Sequence, residues 1–227
     1  MTRARTGAAV LAAAVLLAGC GSGPAPAPPA PTPAPPPAAT PAPDGTPVSA
    51  AELGPSWHAG CPVGPGELRR VEVEHLGYDG KIHRGALIVH RSLVPQVRQI
   101  FAELLAVKYP IERIRTVERY PNAEDELSMR DNNTSAFNCR GIPGSDSWSL
   151  HAYGRAIDLN PLVNPYISKS GRLEPATAAE YVDRNRRHPG TLIGGDDAVR
   201  AFTDRGWSWG GDWTDPKDYQ HFESPRR

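Results

Sequence analysis

Between residues 24 and 43 the chain carries eleven prolines and no charged side chain, and this stretch limits what the rest can fold into. Proline fixes φ and offers no backbone donor, and the segment has too little apolar surface to form a core, so an extended polyproline II path is expected. From Gly21 to about Ser49 the composition is almost entirely proline, alanine, glycine and threonine. Residues 21–51 therefore read as a disordered spacer that could reach on the order of 90 Å at about 3.1 Å per residue. The foldable part is then residues 52–227, one domain's worth of chain and long enough to bury a core.

Ahead of the spacer stands "MTRART", with two arginines and no acid, followed by the apolar run "GAAVLAAAVLLA" and by "LAGC" ending at Cys20. A charged start, an apolar stretch of about a dozen residues and small residues before a cut describe a secretory signal over residues 1–20, too short for a transmembrane helix. Leu17-Ala18-Gly19-Cys20 resembles a bacterial lipobox, which implies lipidation at Cys20 and a domain tethered outside the cytoplasmic membrane, facing the cell wall. An ordinary signal peptide with a chance cysteine is the alternative. Cys61 and Cys139 are the other two cysteines. In an oxidising compartment they are expected to form a disulfide, and neither has the CxxC or CxxH spacing of a metal site. The formal net charge of zero gives no reason to expect nucleic acid as a partner, and a monomer is expected.

Within the domain, residues 69–76 and 81–90 read as strands flanking "GYDG", where Asp79-Gly80 signals a two-residue hairpin. Residues 92–110 read as a helix. Ser92 is its N-cap, Pro95 lies in the first turn, Val97, Ile100, Phe101, Leu104 and Leu105 form its apolar stripe, and Pro110 ends it. A strand over 111–120, a long polar loop over 121–148, a strand at "RAIDL", a helix over 196–206 and a final strand at "YQHFES" complete the pattern. It predicts an α+β domain with a central antiparallel sheet and flanking helices.

His151 and Asp158 are seven positions apart. A helix would separate them by about 10 Å along its axis, and one straight strand would point them to opposite faces. A turn must intervene for both to meet, and Gly154 is placed to supply it. Beyond the turn, Ala156 and Asp158 share a strand face, while Ser149 can fix His151 from behind. On its own this spacing fits a structural His–Asp pair as well as a metal site.

Further on stands "WSWGGDWTDPKDYQHFE", which carries Asp218 and, three positions later, His221. S-x-H-x-x-G-x-A-x-D at 149–158, W-G-G-D-W followed by D-x-x-H-F-E up to 223, and "NNTSAFNCR" at 132–140 together resemble zinc peptidases of the D-alanyl-D-alanine carboxypeptidase family. That family includes the vancomycin-resistance dipeptidases and carboxypeptidases and the L-alanyl-D-glutamate endopeptidases. The resemblance implies a fold shared with hedgehog-type domains and a Zn2+ held by His151, Asp158 and His221, with a fourth position open for water. It assigns the acid/base to Asp218 and a substrate-binding or oxyanion-stabilising role to Arg140. The implied substrates are peptidoglycan stem peptides. Family members that remove D-alanine usually carry glutamate at the acid/base position, so aspartate leans towards the endopeptidases.

Trp209 is a candidate to line the cleft, with Trp207 and Trp213, although tryptophans more often staple a core. Asp212 is a candidate to orient a ligand histidine or to cap a turn, and Glu223 likewise. His75, His83 and His90 are expected to be exposed or satisfied, and His58 and His188 solvated. The alternative to a peptidase is a non-catalytic, zinc-containing, wall-binding lipoprotein.

Overall fold

The computed structural model describes residues 44–225. The signal, Cys20 and the spacer up to Pro43 lie outside the described residues. In chain order the elements are β1 (Thr46–Pro47), α1 (Ala50–Leu53), β2 (Leu68–Leu76), β3 (Ile82–His90), α2 (Val94–Ala106), β4 (Arg113–Ile114), α3 (Asp125–Arg130) and β5 (Asn133–Thr134). They continue with β6 (Ala156–Asp158), β7 (Tyr166–Ile167), β8 (Leu173–Glu174), α4 (Asp197–Thr203), β9 (Ser208–Trp209), β10 (Lys217–Asp218) and β11 (His221–Glu223).

The mixture of α and β is as expected, but one central sheet is not what forms. Among the described residues there are three small antiparallel sheets, ordered β1-β2-β3, β10-β7-β8 and β6-β11-β9, and a parallel pair β4-β5. Most strands are only two or three residues long because turns and prolines interrupt them. β1 already pairs with β2, so regular structure begins before residue 52, the expected start of the foldable part.

The β2–β3 hairpin pairs Leu76 with Ile82, so Gly77–Lys81 forms a longer loop than the Asp79-Gly80 pair predicts. Gly77 N–H donates to Lys81 O at 2.8 Å and Gly80 N–H to Gly77 O at 3.0 Å. At the start of α2, Ser92 is not the cap. Its N–H donates to His90 Nδ1 inside a 3-10 turn at Arg91–Leu93, and the α-helix begins at Val94 with Pro95 in its first turn. The helix ends before Pro110 because Lys108 turns left-handed at φ 57° and Tyr109 N–H folds back onto Leu104 O at 2.9 Å.

Two further expectations give way. The segment 111–120 is extended only at β4, and Val117–Arg119 is a 3-10 turn. The segment 121–148, read as a polar loop, holds α3 and β5, and every residue from Asn132 to Cys139 is buried. Its polar side chains are struts rather than solvated groups. Asn133 takes Arg115 N–H on Oδ1 at 2.8 Å and donates to Arg115 O at 2.9 Å, and Thr134 Oγ1 accepts from Asn160 N–H.

The main core places Val94, Val97, Ile100, Phe101 and Leu104 of α2 against Val71, Val73, Leu87 and Val89 of the hairpin. It extends through Phe202 of α4 to Ile157, Phe222 and Trp209, with Phe202 and Phe222 stacked at 3.9 Å between ring centroids. The β6-β11-β9 sheet thus has one face in the core. Alternation along β6 and β11 turns Asp158, His221 and Glu223 to the other face. Among the described residues no helix is long and apolar enough to cross a membrane.

Candidate metal centre

β6 and β11 are antiparallel, with Asp158 directly opposite His221 and Ala156 opposite Glu223. Opposed residues share a face, so strand pairing alone brings the carboxylate and the second imidazole together. His151 arrives from the 3-10 turn Leu150–Tyr153, which Ser149 caps by accepting His151 N–H on Oγ at 3.3 Å. Gly154 ends that turn at φ 64° and gives two hydrogen bonds back into it. It also lies so close to β3 that an added Cβ would stand 2.6 Å from His90 N, while His90 N–H donates to Gly154 O at 2.9 Å. The glycine therefore satisfies both a left-handed backbone and a close approach. The turn expected between His151 and Asp158 is found there.

His151, Asp158 and His221 are 2%, 4% and 6% exposed. His151 Nε2 lies 3.1 Å from Asp158 Oδ2 and 3.1 Å from His221 Nδ1, and His221 Nδ1 lies 2.9 Å from Asp158 Oδ1. The far side of each ring is occupied: His151 Nδ1 contacts Ala136 O, and His221 Nε2 contacts Glu223 Oε1 at 3.1 Å. Each outer nitrogen meets an oxygen acceptor, so it carries the proton. Two lone pairs and a carboxylate then converge on one point, an arrangement that repels itself unless something positive sits within it. Two imidazoles and a carboxylate, with their outer nitrogens anchored, suit a zinc ion.

The electrostatics point the same way. Burial works against an ionised Asp158, but His151 and His221 hold its carboxyl well below the usual range. Burial also opposes a charged His221, yet its bonds to Asp158 and Glu223 raise the pKa to about 10. A cation is favoured here, whether a proton or a metal ion.

Asp218 lies beside the cluster, placed by β10. Its Oδ1 is shut off from solvent with no hydrogen-bond partner. Burial, with the charge of Asp158, pushes its pKa up to about 7, although His221 and Arg140 oppose the shift. Gly210 makes room for it, since a Cβ there would stand 2.5 Å from Asp218 O. Arg140 bonds Asp125 Oδ2 through Nη2 at 2.7 Å, and its Nε is buried without a partner. Burial disfavours its charge, but Asp125, Asp158, Asp218 and Glu174 raise the guanidinium pKa. All of these groups line one cleft of about 290 Å³.

Other residues fall differently. Trp209 is a core residue that donates its Nε1–H to Tyr219 O at 2.8 Å. Trp213, 5.7 Å from His221 between ring centroids, and Trp148, which sequence reasoning missed, line the cleft instead. Asp212 is exposed and is not a partner of either imidazole. That part is taken by Glu223 and by the Ala136 carbonyl. Trp207 is buried and bonds Gln96. Cys61 and Cys139 form a disulfide. The nearby cluster of His58 with these two sulfurs is therefore a poor metal site, because paired sulfurs are not thiolates. His75 is not satisfied: it is 4% exposed and its Nδ1 has no partner.

Sequence reasoning also missed Asp125, the partner of Arg140, and the β7–β8 hairpin, whose Tyr166 and Glu174 form a cleft wall. Asp125 has no signal beyond being one of several acids between residues 124 and 131.

A family model described as D-alanyl-D-alanine carboxypeptidase matches residues 143–224. That segment holds His151, Asp158, Asp218 and His221 but not Arg140. The match supports a likeness to this peptidase family over the C-terminal part of the chain. No curated protein and no solved structure matches the chain.

Proposed function

We propose that the domain is a zinc-dependent peptidase acting on peptidoglycan stem peptides. The observation that carries this reading is the convergence of His151 Nε2, Asp158 and His221 Nδ1 beside a carboxyl oxygen that has no partner. The matched family supports it with peptidase chemistry. His151, Asp158 and His221 would hold the zinc ion, which would supply Lewis acidity at this point of the cleft.

The remaining work falls to the chain's own groups. Asp218, with one buried carboxyl oxygen left without a partner, takes a proton from the attacking water and returns it to the departing amine. Arg140, braced by Asp125, offers a guanidinium to a developing oxyanion or a substrate carboxylate. The anchored imidazoles keep their geometry as charge moves. We place the domain outside the membrane, tethered through Cys20, where stem peptides are within reach of a spacer of this length.

The test is mass spectrometry of a pentapeptide muropeptide incubated with the zinc-loaded chain, with a chelated control. Chelator-sensitive cleavage is expected. Loss of the terminal D-alanine identifies a carboxypeptidase and a cut after L-alanine an endopeptidase, whereas an intact muropeptide with folded, zinc-bearing protein contradicts the proposal.

A further inference from the structure

The β10-β7-β8 sheet aligns three side chains along the cleft. Asp218 pairs with Tyr166, and Tyr166 pairs with Glu174. Directly opposed residues of antiparallel strands share a face, with Cβ atoms about 4.5–5.5 Å apart, and all three line the cleft that contains the metal ligands. A transverse row of base, phenol and carboxylate thus leads away from the chemistry. Arg172 pairs with Glu174 and offsets its charge. The Tyr166 hydroxyl has no hydrogen-bond partner among the described residues. Burial and the charges of Glu174 and Asp218 raise its pKa, so it stays a neutral donor.

The next step rests on the peptidase reading. If Asp218 returns a proton to the departing nitrogen, that nitrogen lies within hydrogen-bond reach of Asp218. The leaving residue then extends along the wall towards Tyr166, since successive Cα atoms are about 3.8 Å apart. In a stem peptide the leaving residue carries a free α-carboxylate whether the cut falls before a terminal D-alanine or before a γ-linked D-glutamate. We propose that Tyr166 is a substrate-binding residue that donates its hydroxyl hydrogen to this α-carboxylate, which it shares with Arg140. Arg140 has a buried Nε without a partner and lines the same cleft as Tyr166, Glu174 and Asp218.

The test compares Tyr166→Phe with the unaltered chain on a stem peptide whose cleaved bond has been identified, and on an analogue whose leaving residue bears an α-carboxamide. Phenylalanine preserves the ring and the hairpin, and zinc content should not change. Loss of a hydrogen bond to a charged group should raise KM for the carboxylate substrate about tenfold and leave kcat within about threefold. KM for the carboxamide should change little, so the preference for the acid shrinks. Inhibition by the free leaving amino acid should weaken by the same factor. An unchanged preference for the acid, or equal losses on both substrates, overturns the inference and leaves the peptidase reading in place. Failure of the zinc-loaded, unaltered chain to cut any stem peptide overturns that reading and the inference with it.

Discussion

Asp218 and Glu223 are both carboxylates beside His221, but they have different surroundings. Glu223 bonds the outer nitrogen of His221, whereas Asp218 keeps an oxygen without a partner. Their variants should therefore separate. Asp218→Asn should bind zinc as the unaltered chain does and lose about 10²–10⁴-fold in kcat, and a variant that keeps its turnover would remove Asp218 from the mechanism. Glu223→Ala should instead lower zinc affinity about 10–100-fold, as measured by competition with a chromophoric chelator, and unaltered affinity would show that the ring needs no such anchor. The contrast also marks what the sequence makes legible. Histidine and aspartate types at 151, 158, 218 and 221 are visible because the proposed chemistry requires those side chains. The Ala136 carbonyl that holds His151 is not, because any residue type carries one.

Among the elements, the 3-10 turn at Leu150–Tyr153 depends most on one residue. Gly154→Ala would place a Cβ 2.6 Å from His90 N at a φ of 64°, a strain of about 1–3 kcal/mol. Thermal denaturation should show this loss together with weaker zinc binding, since His151 rides on the turn. A variant of native stability would mean that the turn and β3 can move apart cheaply. The β2–β3 hairpin carries its own pH dependence. Burial, with the positive charge of His83, lowers the His75 pKa to about 4 despite Asp79. The unfolded chain binds that proton near pH 6.5, so His75 favours the fold fully above this pH and loses the contribution as pH falls towards 4. The loss should be about 1–2 kcal/mol after allowance for hydration at the hairpin's end. His75→Leu should flatten the stability profile over that range, and an unchanged slope would assign the dependence to other groups. The strands at "RAIDL" and "YQHFES" and the helix α2 were legible from alternation and periodicity. The segment 121–148 was not, because asparagine and serine that serve as buried struts have the same composition as a solvated loop.

For the whole molecule, the disulfide joins residues 78 positions apart and ties the chain at Cys61 to the loop carrying Arg140. Replacing both cysteines by serine should cost about 4 kcal/mol in the chain-entropy model, seen as a lower denaturant midpoint. A midpoint that does not move would mean the unfolded chain is already compact. The pairing is legible from the cysteine count together with the compartment that the N-terminal segment leads one to expect. The division into several short sheets was not, because two-residue strands have no periodicity to read. The β6-β11-β9 and β10-β7-β8 sheets share the cleft: β6 presents Asp158, β11 presents His221, β10 presents Asp218, and β7 and β8 form the wall.

The most direct measurement is a calorimetric titration of zinc into the chelator-stripped chain and into His151→Ala. One ion per chain, with binding lost in the variant, is the predicted result. No binding by the folded, unaltered chain, or equal binding by the variant, would contradict a metal centre built from His151, Asp158 and His221.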